Sequence, residues 1–580
     1  MHYPIITQSK KINAIILAMT IVATTILARL VYLQINSGSY FERRSKNNFT
    51  RISTVESPRG NILDRFGKPL ATNRPIANVF WRGTGNRALS DRQLKALEHV
   101  ETILGTEIHA NETLFQTIRR SEHLRKEICL ASDITFEQLS QIEELFPNDQ
   151  NVTIETHFKR HYPQRAHACH IVGYLGQQMD LEFQGRMGLE KLLQDTLKGR
   201  QGSLLRTINS VGRSLGSVEL QKALVGDTIQ TTINSSVQEI CENVFPSQYS
   251  GAFIIMDPKQ GDIIAVVSRP NFDPAMFLSP MSPLEWQQLQ VKQPFLNRAF
   301  NASYPPGSIF KLVTACAALE NNLVQEESSW YCCGYSEFCG RKYYCSKRQG
   351  HGRLSTLQAI GKSCNPFFFE IGKHIDINVL SHYAHKFGLG EKTNILFPEK
   401  TGLVPSREWK KATKGEPWWP GETLSAAIGQ SYLLATPIQI VRMIGSIFTG
   451  YLAKPRILMS EPIVTEPLNM KASTLDLVQR SMNKVITMGT GLSVSRVKDI
   501  TIYAKTSTAQ TSSFEYRERG GEYLEHAWFV GYFQYKQYEP LAFAIMVEHA
   551  GSSSVATAIA KDFLIQYKKY MDVVNAPENA

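Results

Sequence analysis

The sequence shows no internal repeat and no long low-complexity segment, so arrays and disordered tethers are set aside. It has no zinc-finger, RNA-recognition or similar signature, and its basic residues are scattered. A formal net charge of +11 therefore does not point to nucleic acid. A basic protein beside an anionic membrane or cell wall accounts for the charge. Cysteine is sparse, nine in 580 residues, which excludes a general disulfide scaffold. Five of the nine (Cys332, Cys333, Cys339, Cys345 and Cys364) nevertheless crowd into one stretch, which implies a local role. No small-x-small cleavage site follows the N-terminal apolar run.

That run, Ile12 to Leu33, follows Lys10-Lys11 and spans about 33 Å as a helix, enough to cross a bilayer. A buried core helix has the same composition. The lysines favour a cytoplasmic tail over residues 1–11 and an uncleaved anchor over 12–33, with most of the chain outside the cytoplasm. A chain of this length holds two or more domains. After a polar, basic linker from Tyr40 to Arg51, residues to about 235 alternate short strand-like and helical runs. Among these, ITFEQLSQIEELF reads as an amphipathic helix capped by Thr135. From Gly251, GAFIIMDPKQGDIIAVVS reads as a hairpin. Strand-like sequence returns late in ITIYAKTSTAQ, HAWFVGYFQ and PLAFAIMVEH, and SSVATAIAKDFLIQYKKYM closes the chain as a helix. An α+β domain follows, one antiparallel sheet with helices packed on it.

The chemistry concentrates in three short motifs. In YPPGSIFKLVTACAALE the Pro-Pro-Gly turn places Ser308 at a helix N-terminus and Lys311 one turn later on the same face. A lysine there can take the serine proton only if burial lowers its pKa from about 10.4. Alone, the motif equally fits a capping serine and a surface lysine. GKSCNPFFFEIG adds Ser363 and Asn365, a hydroxyl and an amide flanking one residue, able to relay a proton and hold an amide. YAKTSTAQ adds Lys505, Thr506, Ser507 and Thr508. Strand alternation puts Lys505 and Ser507 on one face, a cation suited to a substrate carboxylate.

In this order and spacing the motifs resemble the active site of penicillin-binding proteins. SPRGNILDRFGKPLATN, GRMGLEKLLQDTLKGRQG, MDPKQGDIIAVVSRPNFDP and HAWFVGY resemble landmarks of class B, transpeptidase-only members. GHGRL, GLVPSREWK and PWWPGETLSAAIGQ resemble the elongation-type branch, which builds side wall. The resemblance implies the serine transpeptidase fold, with helices on both sides of the sheet and an all-helical subdomain. Ahead of it stand a transmembrane helix and an extended α/β pedestal. Expected boundaries are a pedestal over 45–235, a transpeptidase domain over 236–570 and a Cys-rich insert over 330–353.

The function implied is peptidoglycan cross-linking in cell elongation. Ser308 acts as nucleophile, Lys311 as base, Ser363 and Asn365 as catalytic partners, and Lys505, Thr506, Ser507 and Thr508 as substrate-binding residues. Backbone N–H groups of Ser308 and Thr508 form the implied oxyanion hole. Implied ligands and partners are stem peptides, β-lactams, a SEDS-family glycosyltransferase and cell-shape scaffold proteins. The implied location is the bacterial inner membrane, with a single pass and the C-terminal domain in the periplasm. No organic cofactor and no nucleic acid are expected.

Within the cluster, Cys345, His351 and Cys364 with one upstream cysteine suit a closed Cys₃His zinc site. The resemblance matches Cys332 to the first ligand, and the metal is then structural. Cys333 and Cys339 are left to pair as a small disulfide. Two disulfides among the five cysteines, or free thiols, are the alternatives.

Two positions depart from the family pattern, Ser507 and Ser431, each where glycine is usual. Ser507 narrows the groove or adds a hydrogen bond, while leaving the oxyanion N–H available. Two other functions fit the same motifs: a DD-carboxypeptidase or serine β-lactamase, in which water resolves the acyl-enzyme, and a catalytically weak scaffold or β-lactam sensor.

Overall fold

The structure is a computed structural model describing residues 6–147, 149–177, 183–208, 214–510 and 519–575. The first five residues of the expected cytoplasmic tail lie outside that range. An apolar α-helix covers Ile6–Val31 and runs on through a π-helical turn, Tyr32–Asn36. The hydroxyls of Thr20, Thr24 and Thr25 donate to carbonyls four residues back, so these polar groups need no water. Among the described residues, Lys10–Asn36 is the one helical stretch long and apolar enough to cross a membrane. The basic stretch expected as a linker is instead mostly helical, Gly38–Phe49. Its Glu, Arg and Lys residues are good helix formers, and no proline interrupts them.

The chain divides into two compact units. One gathers residues 1–59, 73–159 and 198–226. Val79, Trp81, Leu97, Val100, Ile118 and Ile142 form its core. The helix expected over ITFEQLSQIEELF forms at Phe136–Leu145. Thr135 and Gln138 close a reciprocal capping box at its start.

The other unit gathers 60–72, 160–197 and 227–580. Its centre is an antiparallel sheet of β1 (Gly251–Met256), β2 (Ile263–Arg269), β3 (Ile500–Ala509), β4 (His526–Tyr535) and β5 (Leu541–Val547). The strand order is β2-β1-β5-β4-β3, which leaves β3 on an edge. The expected hairpin joins β1 to β2, and the Asp257 carboxylate accepts the Lys259 and Gln260 N–H groups in its turn.

Alternation along the strands divides the core in two. Ala252, Ile254, Met256, Trp528 and Val530 face one helical layer, and Phe253, Ile255, Ala527 and Phe529 face the other. The first layer includes α1 (Lys311–Glu320), α2 (Asn365–His374) and α3 (Pro437–Thr449). The second holds helix Ser235–Val244 and the closing helix α4 (Ser553–Val574). Each large apolar side chain buried here contributes about 1.5–3 kcal/mol. Helices on both faces are the arrangement expected, and Ala509 belongs to the α1 side, so Lys505 and Ser507 turn toward α1 as well.

Candidate functional site

The turn before α1 is pinned from three sides. Tyr304 exchanges two 2.9 Å backbone hydrogen bonds with Ala435, and the Gly307 N–H donates to Gly429 O at 3.0 Å. Trp528 Nε1–H donates to Pro305 O at 3.1 Å. Gly307 has φ +52°, a conformation that a residue with a Cβ adopts only with strain. Ser308 thereby sits on a single 3₁₀ turn, Gly307–Ile309, that leads into α1.

Lys311 is fully buried, and its Nζ donates to Ser363 O at 3.1 Å, Ser363 Oγ at 3.1 Å and Asn365 Oδ1 at 2.5 Å. All three ammonium donors thus run to the second motif; the bond to the Ser308 hydroxyl that the spacing invited is not among them. Lys505, equally buried, donates to the same Ser363 Oγ at 2.9 Å and to Thr506 O at 3.0 Å. Among the described residues neither lysine pairs with a carboxylate. Burial lowers Lys311 to about 8. Burial, and then the charge of Lys311, hold Lys505 well below the ordinary lysine range. Ser363, the hydroxyl both cations share, has φ +54°, a left-handed conformation costing a non-glycine residue about 1–2 kcal/mol. Cys364 caps α2 and Asn365 opens it.

On β3, Thr506 shares a hydroxyl–hydroxyl contact with Thr490, a residue with no chemical signal in the sequence beyond its place in a glycine-rich turn. Thr508 is exposed, and its Oγ1 accepts the Ser553 N–H at 3.3 Å. Ser507 corrects an expectation. Its Oγ accepts the Ser308 N–H at 2.8 Å, so that donor is engaged rather than available. The other departure, Ser431, has φ +71°, which accounts for glycine's usual presence there. Ser431→Gly is therefore expected to stabilise the fold by about 0.5–1 kcal/mol, read as a higher Tm; an unchanged or lower Tm would refute the strain.

The cysteines and His351 form a second centre. Ligand atoms of Cys332, Cys345, His351 and Cys364 all lie within 4.8 Å of one another. His351 Nδ1 stands 3.7 Å from Cys332 Sγ and 3.5 Å from Cys345 Sγ. The edge of a tetrahedron built on zinc–sulfur and zinc–nitrogen bonds is about 3.6 Å, so these side chains fit that ion. A hydrogen bond from Cys364 lowers the pKa of Cys345, while Cys345 and burial raise that of Cys364. All nine cysteines are unbridged. The Cys333–Cys339 disulfide is not formed, because the two flank opposite ends of strand Tyr335–Phe338. At about 3.3 Å per residue they are too far apart for a bridge. Asn365 Nδ2–H donates to Tyr344 O at 3.1 Å, which ties the start of α2 to the hairpin carrying Cys345.

Known proteins resemble the chain over most of its length. Residues 251–564 match the model of the penicillin binding protein transpeptidase domain, and 54–231 that of the penicillin-binding protein dimerisation domain. The peptidoglycan D,D-transpeptidase MrdA of Haemophilus influenzae is 26% identical over 95% of this chain and 90% of its own. The penicillin-binding protein (PBP2) solved in complex with MreC from Helicobacter pylori superposes with a TM-score of 0.74 at 26% identity. That match covers 91% of this chain and 99% of the other. A chain of a peptidoglycan synthase complex that coordinates polymerization and crosslinking gives 0.75 at 26% identity, covering 98% and 100%.

Proposed function

The chain belongs to the penicillin-binding protein transpeptidases, and from that membership we propose a D,D-transpeptidase of cell elongation that works through an acyl-enzyme on Ser308. The observation that carries the residue roles is a pair of buried lysines sharing the Ser363 hydroxyl with no carboxylate partner among the described residues. Such cations are costly to bury, and proton transfer gives them a use.

In the first half-reaction neutral Lys311 takes the Ser308 proton as Oγ attacks the penultimate D-alanine carbonyl of a stem peptide. Ser363 Oγ passes a proton to the departing amine and takes one from the Lys311 ammonium bonded to it, the C–N bond breaks, and terminal D-alanine leaves an ester on Ser308. An amine of a second stem then attacks that ester. The acyl C–O bond breaks as the new amide forms, and the proton the amine gives up returns to Ser308. Asn365 orients Lys311, Lys505 meets the donor carboxylate, and Thr506, Ser507 and Thr508 line the donor strand. A β-lactam opens on the same serine.

Cys332, Cys345, His351 and Cys364 would hold a structural zinc ion, which fixes the second motif and takes no part in acyl transfer. In sequence order the pedestal covers 45–235 and the transpeptidase domain 236–570, with the Cys-rich insert at 330–353, while residues 60–72 and 160–197 belong to the same compact unit as the transpeptidase sheet. Residues 12–33, within the apolar stretch Lys10–Asn36, anchor the chain, residues 1–11 lie in the cytoplasm, and the C-terminal domain faces the periplasm of a bacterial inner membrane. Partners are a SEDS-family glycosyltransferase and cell-shape scaffold proteins. The likeness to chains solved with MreC and in a synthase complex supports both.

Product analysis tests the reaction. The full-length chain, given a pentapeptide donor and an acceptor amine, yields cross-linked dimer; hydrolysed tetrapeptide alone would make it a carboxypeptidase, and no product a scaffold.

A further inference from the structure

The position two residues after Lys505 carries a side chain, and that side chain reaches the nucleophile's backbone. Ser507 sits on β3 opposite Trp528 and is 2 % exposed. Its Oγ accepts the Ser308 N–H at 2.8 Å. The fit is close: a Cβ added to Gly307 would stand 2.4 Å from that oxygen. We propose that Ser507 is an internal occupant of the oxyanion site, a side chain that holds one backbone donor and must release it before Ser308 is acylated. Ser507 then limits the acylation rate for peptide and β-lactam donors alike. This rests on the acyl-transfer reading above.

An N–H aimed at a hydroxyl oxygen at 2.8 Å is a made hydrogen bond, and the ground-state carbonyl of a donor is no better an acceptor than that hydroxyl. The balance changes only as negative charge develops, because hydrogen bonds to an ionised acceptor are about twice as strong. The exchange therefore burdens the acylation step, not the initial encounter. Its size lies between about ten-fold, for one neutral hydrogen bond, and about a hundred-fold, for one oxyanion donor withheld. Ser507 acts through the Ser308 N–H and is a positioning residue.

The test is the kinetics of benzylpenicillin acylation of the full-length chain in detergent, with the adduct mass mapped to Ser308. Wild type, Ser507→Ala and Ser507→Gly are compared. Ser507→Ala removes the oxygen and keeps the Cβ, so it reads the hydrogen bond alone even if glycine weakens the strand. The acylation rate constant is expected to rise about ten- to a hundred-fold in both variants, with the encounter constant nearly unchanged. Unchanged rates overturn the proposal. So does a fall, which would make the Ser507 hydroxyl itself the donor, and so does a gain confined to the encounter constant, which would mean simple narrowing of the groove. If none of the three folded proteins forms an adduct, the acyl-transfer reading fails and takes this one with it. A wild-type adduct with unresponsive variants removes Ser507's role alone.

Discussion

Lys311→Met is expected to lower the acylation rate of Ser308 by about 10²- to 10⁴-fold, the span of a well-placed general base. Methionine keeps the length and apolar stem of lysine and removes the amine that contacts Ser363 and Asn365. Folding should survive, since Lys311 bonds neutral acceptors, so its removal leaves no buried charge unpaired and lifts the cost of burying an amine. The pH profile gives an independent reading. Burial sets Lys311 near 8, and the active form is the free amine, so the wild-type rate climbs with pH and levels off above about 8. Lys311→Met flattens that limb. A wild-type rate that falls through the same range would make the ammonium the working form and end the base assignment. Lys505 shapes the profile as well. Two ammonium groups on one hydroxyl disfavour each other, so a donor carboxylate that keeps Lys505 charged helps keep Lys311 neutral.

The motifs were legible because each is local. Ser308 and Lys311 lie on consecutive turns, Ser363 and Asn365 flank one cap, and Lys505 and Ser507 share one face of a strand. Period and turn chemistry alone place such sets, and they also placed the β1–β2 hairpin and the Thr135 cap. The links between the motifs were not legible. The Lys505–Ser363 contact spans 142 residues and the Ser308–Ser507 contact 199, and tertiary packing sets both to a fraction of an ångström. A pattern can say that a serine replaces a glycine; it cannot say which N–H its oxygen will meet. Thr490 stayed invisible for the same reason. The Tyr40–Arg51 stretch misled differently: its charge suggested a linker, whereas its helix formers prevailed over most of it.

Loss of the Cys/His centre should also slow the reaction, by about the low end of what loss of the base costs, although it lies outside the reaction. Cys364 is bonded in sequence to both Ser363 and Asn365, and Asn365 also holds Tyr344 O, next to Cys345. A shift of the cluster therefore moves the two groups that receive Lys311, and about 1 Å of misplacement costs about 10²-fold in rate. Cys345→Ser in the full-length chain is expected to lose bound zinc, lower Tm, and slow benzylpenicillin acylation about 10²-fold. It should still form the Ser308 adduct, because the nucleophile's own turn is held by Ala435, Gly429 and Trp528. Metal analysis of the anaerobically purified protein, read with Tm and the acylation rate, checks all three. Zinc at one per chain in wild type and none in the variant is the expected pattern. A zinc-free wild type with oxidised cysteines would replace the metal by disulfides, and a reductant should then slow the enzyme where a chelator does not.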